Sequence, residues 1–289
     1  MEQSDLLLRL QNQFPMLSKG QKQIASYIME NYDRAAFITA SRMGRMVGVS
    51  ESTVVRFAYT MGYDGYPALQ RALQEMIRTK LTAMQRIQLT SDIDQADVLK
   101  TVLKADMQNI RTTIDNVDNA TFQGAMNALL NAKRIYIVGM RSAYPIALFL
   151  TYYLNFIFPD VIAVNGALSD ACEQMARIGD GDVCVAISFP RYSTRTMEAT
   201  QYAKDRGATT IAITDSMASP LTPYADFALT ARSDMASFAD SLVAPLSLIN
   251  AIIVSAGLVR KDQLMEHFDR LEQIWGSHHV YVTKPRYNQ

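Results

Sequence analysis

The sequence predicts two architectures in succession: an all-α N-terminal domain, then an α/β domain built on a five-stranded parallel sheet. Three observations carry this reading. Up to about residue 130 the apolar residues recur at the i, i+3, i+4 spacing of amphipathic helices. After Ala132 the pattern changes to short continuous apolar runs rich in Val and Ile. Those runs then alternate with helical stretches, and strand–helix alternation implies a parallel sheet with helices on both sides. At 289 residues the chain is long enough for two domains, each with its own core.

Leu6, Leu7 and Leu10 form the first apolar stripe. Ser18 can cap a helix carrying Ile24, Tyr27 and Ile28. Thr39 or Ser41 can cap the next, whose apolar face would be Met43, Met46 and Val47. Gly44 is small where another helix must cross closely, and Gly48 can take the positive φ of a tight turn. Ser50 then caps a helix that buries Val54, Phe57 and Ala58, and Gly62 ends it. Pro67 opens a further helix with Leu69, Leu73, Met76 and Ile77 inward.

From Lys80 to Thr90 the pattern is polar and still helical, with Leu81, Met84 and Ile87 at helical spacing. Thr90-Ser91-Asp92 breaks it and marks a linker. Asp94 to Asn116 reads as an amphipathic helix on Val98, Val102, Leu103 and Ile110. Asn119 or Thr121 caps a helix through Leu130. The strand candidates are 134–140, 160–164, 182–189, 209–215 and 226–231. Their apolar runs are continuous, as expected of strands buried on both faces. Helices are expected at Ala143–Phe158, Leu168–Arg177 and Thr194–Arg206, with a short turn at Ser219–Tyr224.

The two helices joined through Gly48 have the layout of a helix-turn-helix, whose second helix enters the DNA major groove and reads base edges from its first turns. Ser50, Glu51, Ser52, Thr53 and Arg56 are left on the outer face of that second helix, with Arg42 and Arg45 nearby. A plain αα-corner has the same apolar pattern; the polar front and its three arginines favour DNA. Residues 1–80 hold 10 Lys+Arg against 7 Asp+Glu, while 81–289 hold 18 against 21. A mildly basic head on a mildly acidic body suits a nucleic-acid module carried by a larger domain.

Cys172 and Cys184 show no C-x-x-C spacing, which argues against a disulfide framework or a zinc site. Cys184 reads as a core residue. MEQSDLLLRL lacks a signal-peptide layout. The run Leu242–Val259 is broken by Pro245, Ser247, Asn250 and Ser255, so a buried or interface helix is expected there rather than a membrane span. A cytoplasmic protein without membrane, metal or cofactor is expected.

Right-handed crossovers put every strand-to-helix loop at one sheet edge, and ligands of such folds bind where the strand order reverses. Two loops there look chemical. One is Gly139-Met140-Arg141-Ser142; the other is Ser188-Phe189-Pro190-Arg191-Tyr192-Ser193-Thr194. Each offers hydroxyls, an arginine and helix-start amides, which suits a phosphate or carboxylate. Either loop alone is better explained by helix capping and surface ion pairs. Together at one edge they favour a ligand.

LSKGQKQIASYIMENY, GVSESTVVRF and MGYDGYPAL resemble the DNA-binding domain of the RpiR-type transcriptional regulators. AKRIYIVGMRSAYPIA, DVCVAISFPRYSTRTMEA and AKDRGATTIAITDSMASPL resemble that family's sugar isomerase (SIS) domain. The resemblance covers roughly Leu6 to Arg270. It implies a flavodoxin-like SIS sheet, a homodimer or homotetramer, and control of operator binding by a small anionic metabolite, usually a phosphosugar. Two departures stand out. The family's first loop often reads G-x-G-x-S, and Arg141 replaces the second Gly; its second loop is often Ser-rich with a Gly, where this chain has Phe189-Pro190-Arg191-Tyr192. The pocket would then use arginine side chains where relatives use backbone amides.

The resulting division is 1–80 helix-turn-helix domain, 81–125 helical linker, 126–270 SIS effector-binding domain and 271–289 C-terminal extension. SIS domains also occur in aldose–ketose isomerases. Such chemistry needs a positioned base, and Glu173 is the one plausible carboxylate, while His267, His278 and His279 lie in or after the last helix. A ligand-free dimerisation scaffold is the third reading. A regulator rather than an enzyme is expected.

Overall fold

The computed structural model describes residues 5–77, 84, 86, 87, 95–166, 169–235 and 239–282. The expected linker break at residues 90–92, the start of the helix expected at Leu168, and the last seven residues lie outside them. The chain divides into two compact units, 1–103 with 235–240, and 104–234 with 241–289.

The first unit is helical: α1 (Asp5–Gln13), α2 (Lys19–Glu30), α3 (Tyr32–Ala35), α4 (Ala40–Val47), α5 (Glu51–Thr60) and α6 (Tyr66–Ile77). Ser18 caps α2 in a capping box with Gln21, and Thr39 and Ser50 cap α4 and α5 by accepting the Arg42 and Thr53 amides. Leu6, Leu10, Ile24, Ile28, Met43, Val54, Phe57, Leu69, Leu73 and Ile77 close one core. The buried Tyr66 hydroxyl donates to the Ile38 carbonyl at 2.8 Å, and burial pushes its pKa up. Gln70 and Gln74 donate to the carbonyls of Ile38 and Ala36, so α6 fixes the chain that enters α4. Met235 packs against this same core. The buried Arg86 donates to Asp240 at 2.9 Å, within the same unit.

Met46 departs from expectation. It is exposed, because α4 turns Met43 and Gly44 inward and leaves Met46 on the flank, where its sulfur accepts from the Tyr27 hydroxyl.

In the second unit, β1 (Ile135–Gly139), β2 (Val161–Val164), β3 (Val183–Ile187), β4 (Thr209–Thr214) and β5 (Phe227–Thr230) form one parallel sheet in the order β2-β1-β3-β4-β5. The helices are α7 (Val98–Asn116), α8 (Asn119–Leu130), α9 (Tyr144–Ile157), α10 (Ala171–Gln174), α11 (Thr194–Asp205), α12 (Val243–Val259) and α13 (Lys261–Ser277); the boundary between the units falls within α7. Alternate strand residues feed two cores. Ile135, Ile137, Val183, Val185, Ile211 and Ile213 pack under α8, α9 and α12. Tyr136, Val138 and Cys184 pack under α10 and α11. Burial pushes the Cys184 thiol up to about 12, as befits a core residue. No single helix among the described residues is long and apolar enough to cross a membrane.

Two further expectations are corrected. Asp118, not Asn119 or Thr121, caps α8, accepting the amides of Ala120 and Thr121. These bonds, led by the one from the Thr121 hydroxyl, hold its pKa low. On α7 the expected apolar face is only partly covered: Val98 and Leu103 are exposed, and Val102 and Ile110 are half-buried. The inward face also carries polar groups. Asn109 exchanges bonds with the Asp234 backbone, Thr113 accepts the Arg232 amide, and Asp106 accepts the Ser241 hydroxyl. The irregular segments flanking 235–240 need backbone partners, and α7 supplies them.

Gly44 is required by the α4–α5 crossing. A Cβ there would sit 2.6 Å from the Val49 carbonyl oxygen and 3.3 Å from Ser50 C and Glu51 N, all backbone. A Gly-to-Ala change inside a helix ordinarily stabilises by roughly 0.5–1 kcal/mol. Gly44→Ala should reverse that sign and destabilise by about 1–3 kcal/mol in urea unfolding.

Candidate functional site

The exposed front of α5 follows from its cap. Ser50, Glu51, Ser52 and Arg56 are exposed and Thr53 is half-buried, while Val54, Phe57 and Ala58 face the core. The three hydroxyls form a cluster at the helix start, Ser50 to Ser52 at 2.9 Å and Ser50 to Thr53 at 2.8 Å. Arg56 lies one turn on, its Nε donating to the Ser52 carbonyl at 3.3 Å. Arg42 and Arg45 are exposed on α4. Gly48, at φ 74°, makes the turn between the two helices. The start of α2 borders the same face: Ser18, Gly20 and Gln21 line one cleft with Ser50, Thr53 and Arg56. Gln21 also donates to Thr60 at 2.9 Å.

The second cluster lies at the carboxyl ends of β1 and β3. These strands are neighbours, with Gly139 opposite Ile187, and the strand order reverses between them. Gly139 is needed there, because a Cβ would lie 2.8 Å from Ala147 Cβ of α9. The chain then makes a 3₁₀ turn, Arg141–Ala143, before α9. Arg141 and Ser142 are exposed. In the second loop Ser188 is buried and its hydroxyl accepts the Ser193 amide at 3.2 Å, bracing the loop. Ser193 caps α11 by accepting the Thr196 amide. Arg191 and Thr194 are exposed, and Tyr192 is half-buried. The structure therefore brings both predicted loops together, with Ser188 and Ser193 engaged in holding the loop.

Arg141 has φ 57° and Arg191 φ 64°. Both arginines hold the left-handed backbone that glycine adopts without penalty and other residues enter at a cost of about 1–2 kcal/mol. Neither guanidinium has a hydrogen-bond or ion-pair partner among the described residues.

Three contributors escaped the sequence reading. Arg195, in the first turn of α11, reaches toward the loop after β2; a Cβ on Gly166 would lie 3.9 Å from its Nη1. Asn165, in that loop, donates to the Tyr144 hydroxyl at the start of α9. Asp215, just after β4, is buried and accepts from Tyr192 at 2.7 Å. Arg195 and Asp215 both carried a usable signal, a second cation in the first turn of the same helix and a carboxylate ending an apolar strand. Glu173 is exposed on α10, His267 lies half-buried on α13, and His278 and His279 follow that helix.

The family model described as the helix-turn-helix domain of the rpiR family matches residues 4–80, and that of the SIS domain matches residues 128–255. The chain belongs to the RpiR-type transcriptional regulators with a SIS domain. An uncharacterized HTH-type transcriptional regulator of Haemophilus influenzae is 29% identical over 229 residues, 78% of this chain and 79% of that protein. The HTH-type transcriptional regulator HexR of Escherichia coli is 24% identical over 282 residues, 93% of each. Among solved structures, Vibrio vulnificus NanR complexed with ManNAc-6P matches with TM-score 0.56 at 24% identity, over 93% of this chain and 98% of that one. The sugar isomerase domain of an RpiR transcription factor from Sphaerobacter thermophilus matches with TM-score 0.59 at 22% identity, over 61% and 99%.

Left-handed strain at Arg141 has a measurable sign. Glycine there would relieve the strain but add freedom to the unfolded chain, worth about 0.5–1 kcal/mol against it. Arg141→Gly should therefore be neutral or stabilising by up to about 1 kcal/mol in urea unfolding. A clear loss of stability would show that Arg141 is held by contacts rather than strained.

Proposed function

We propose that this regulator binds a two-fold symmetric DNA site as a homodimer or homotetramer in the cytoplasm. Release is controlled by a small anionic metabolite, a phosphosugar, bound between the β1 and β3 loops. Arg56, Ser50, Glu51, Ser52 and Thr53 present the base-reading surface, and Arg42 and Arg45 hold phosphates. Residues 1–80 serve as the DNA-binding segment, 81–125 as a helical linker, 126–270 as the SIS segment that takes the ligand, and 271–289 as a C-terminal extension. The chain acts as a switch and not as an isomerase, in keeping with relatives named as regulators.

The observation that carries the ligand reading is the pair of exposed arginines, without a hydrogen-bond or ion-pair partner among the described residues, held in left-handed conformations at adjacent strand ends. Strain of this kind persists where surrounding structure imposes it, and it clusters at functional sites. Ser142 and Thr194 add exposed hydroxyls, and the first turn of α11 adds amides that a helix leaves unbonded. ManNAc-6P bound to NanR, a protein of the same fold, is an anion of the class proposed. The oligomer is supported by apolar residues left outside: Leu148 and Tyr152 on α9, and Val254, Leu258 and Val259 on α12.

Arg56→Ala should cost about 1–3 kcal/mol of operator affinity if it reads a guanine, whereas loss of Arg42 or Arg45 should weaken all sequences alike and flatten the salt dependence. Half-sites should lie about 10 bp apart or a multiple of that in footprints. An unprotected or asymmetric footprint would overturn the symmetric-site reading.

For the switch, a phosphosugar selected by thermal shift is titrated against the protein–DNA complex. Arg191→Ala should weaken that ligand by roughly 1.5–3 kcal/mol, so DNA release needs about 10- to 150-fold more of it. If the variant responds at the wild-type concentration, the loop is not the sensor.

A further inference from the structure

Arg191 sits between two anchored neighbours. Ser188, Phe189 and Pro190 before it are buried. Proline also fixes its own φ, so the chain enters Arg191 in one direction. After it, the Tyr192 hydroxyl donates to Asp215 Oδ1 at 2.7 Å. Asp215 is only 5% exposed and belongs to a different loop, the one that follows β4. That loop is itself braced: Thr214 donates to Asp215 at 3.2 Å and pairs with Ser219 at 2.7 Å, and Ser219 accepts the Leu221 amide. The anchor is therefore a buried network built on the end of β4, to which the β3 loop is also tied by the Ser188 amide donating to the Ile213 carbonyl at 3.1 Å.

We propose that the Tyr192–Asp215 hydrogen bond is the positioning element that holds Arg191 in its left-handed conformation and aims its guanidinium into the anion site. Tyr192 and Asp215 act through Arg191 and need no contact with the anion. Asp215 acts in this strut through the hydrogen bond it accepts from Tyr192. The inference rests on the anion-site reading above. A left-handed arginine is disfavoured in a free loop, so without the strut the residue relaxes toward ordinary backbone and the guanidinium leaves the site.

The test uses the full chain and inorganic phosphate as the probe, read by thermal shift at constant ionic strength against chloride. Wild type, Tyr192→Phe, Arg191→Ala, the double variant and Asp215→Asn are compared. Tyr192→Phe should weaken phosphate binding roughly 3- to 10-fold, the reach of one hydrogen bond. In the Arg191→Ala background the same change should have no further effect, because the strut then positions nothing. Asp215→Asn keeps an oxygen acceptor and should bind phosphate no more weakly than wild type. Wild-type binding in Tyr192→Phe, effects that multiply in the double variant, or a loss in Asp215→Asn as large as in Tyr192→Phe would each overturn the proposal. If wild type shows no phosphate-dependent shift, or Arg191→Ala leaves the shift intact, the anion site itself falls and the strut with it.

Discussion

A parallel sheet covered on both faces hides its backbone everywhere except at the strand ends. That constraint orders the second unit. β1, β3 and β4 are almost wholly buried, so their mostly apolar side chains are committed to packing under helices. Chemistry is confined to the loops that leave the strands. The right-handed crossover rule places the strand-to-helix loops at one edge, and the order β2-β1-β3-β4-β5 opens a gap between the first and third. Close packing sharpens the position. Gly139 lets α9 approach β1 until the chain must turn sharply, and the turn is where Arg141 is displayed.

The periodic elements were legible because period is a strong signal. Each of the five strands falls inside its expected run, and the caps at Ser18 and Ser50 are the side chains that the sequence marks. What the sequence hid was orientation. Met46 and Leu103 are apolar at helical spacing, yet both face out, because the inward face of each helix is decided by the elements packed against it. On α7 the partners are backbone groups some 120 residues away, and they demanded Asn and Thr rather than Leu. The two strand-end loops could be named from composition, and Arg141 stands where the family's pattern often has glycine, but the positive φ of Arg191 has no such mark in its neighbours.

The division into units also escaped the linear reading. Residues 235–240 cluster with the helical unit although the chain on both sides belongs to the other. The chain thus passes between the units three times, at 103/104, 234/235 and 240/241, where a simple two-domain string passes once. Asp240 in this segment accepts from the Arg86 guanidinium, which is only 2% exposed. The polar face of α7 secures both flanks of the same segment through Asp234 and Ser241. A regulator works only if ligand and DNA each favour one arrangement over another.

Arginine in place of glycine changes what an anion site can discriminate. A glycine loop offers backbone amides, whose spacing is fixed by the chain and whose fit depends on close approach. A guanidinium on the same left-handed backbone stands further out and offers a planar fork matched to two oxygens of one group. Such a fork accepts phosphate or carboxylate, so selectivity must come from where the fork is held. On the proposed reading that duty passes to Pro190 on one side and to Tyr192 with Asp215 on the other. On that reading recognition rests on side chains rather than on the main chain. The cost of the strained φ, about 1–2 kcal/mol for each arginine, is then the measure of how firmly the buried framework beneath must grip the loop.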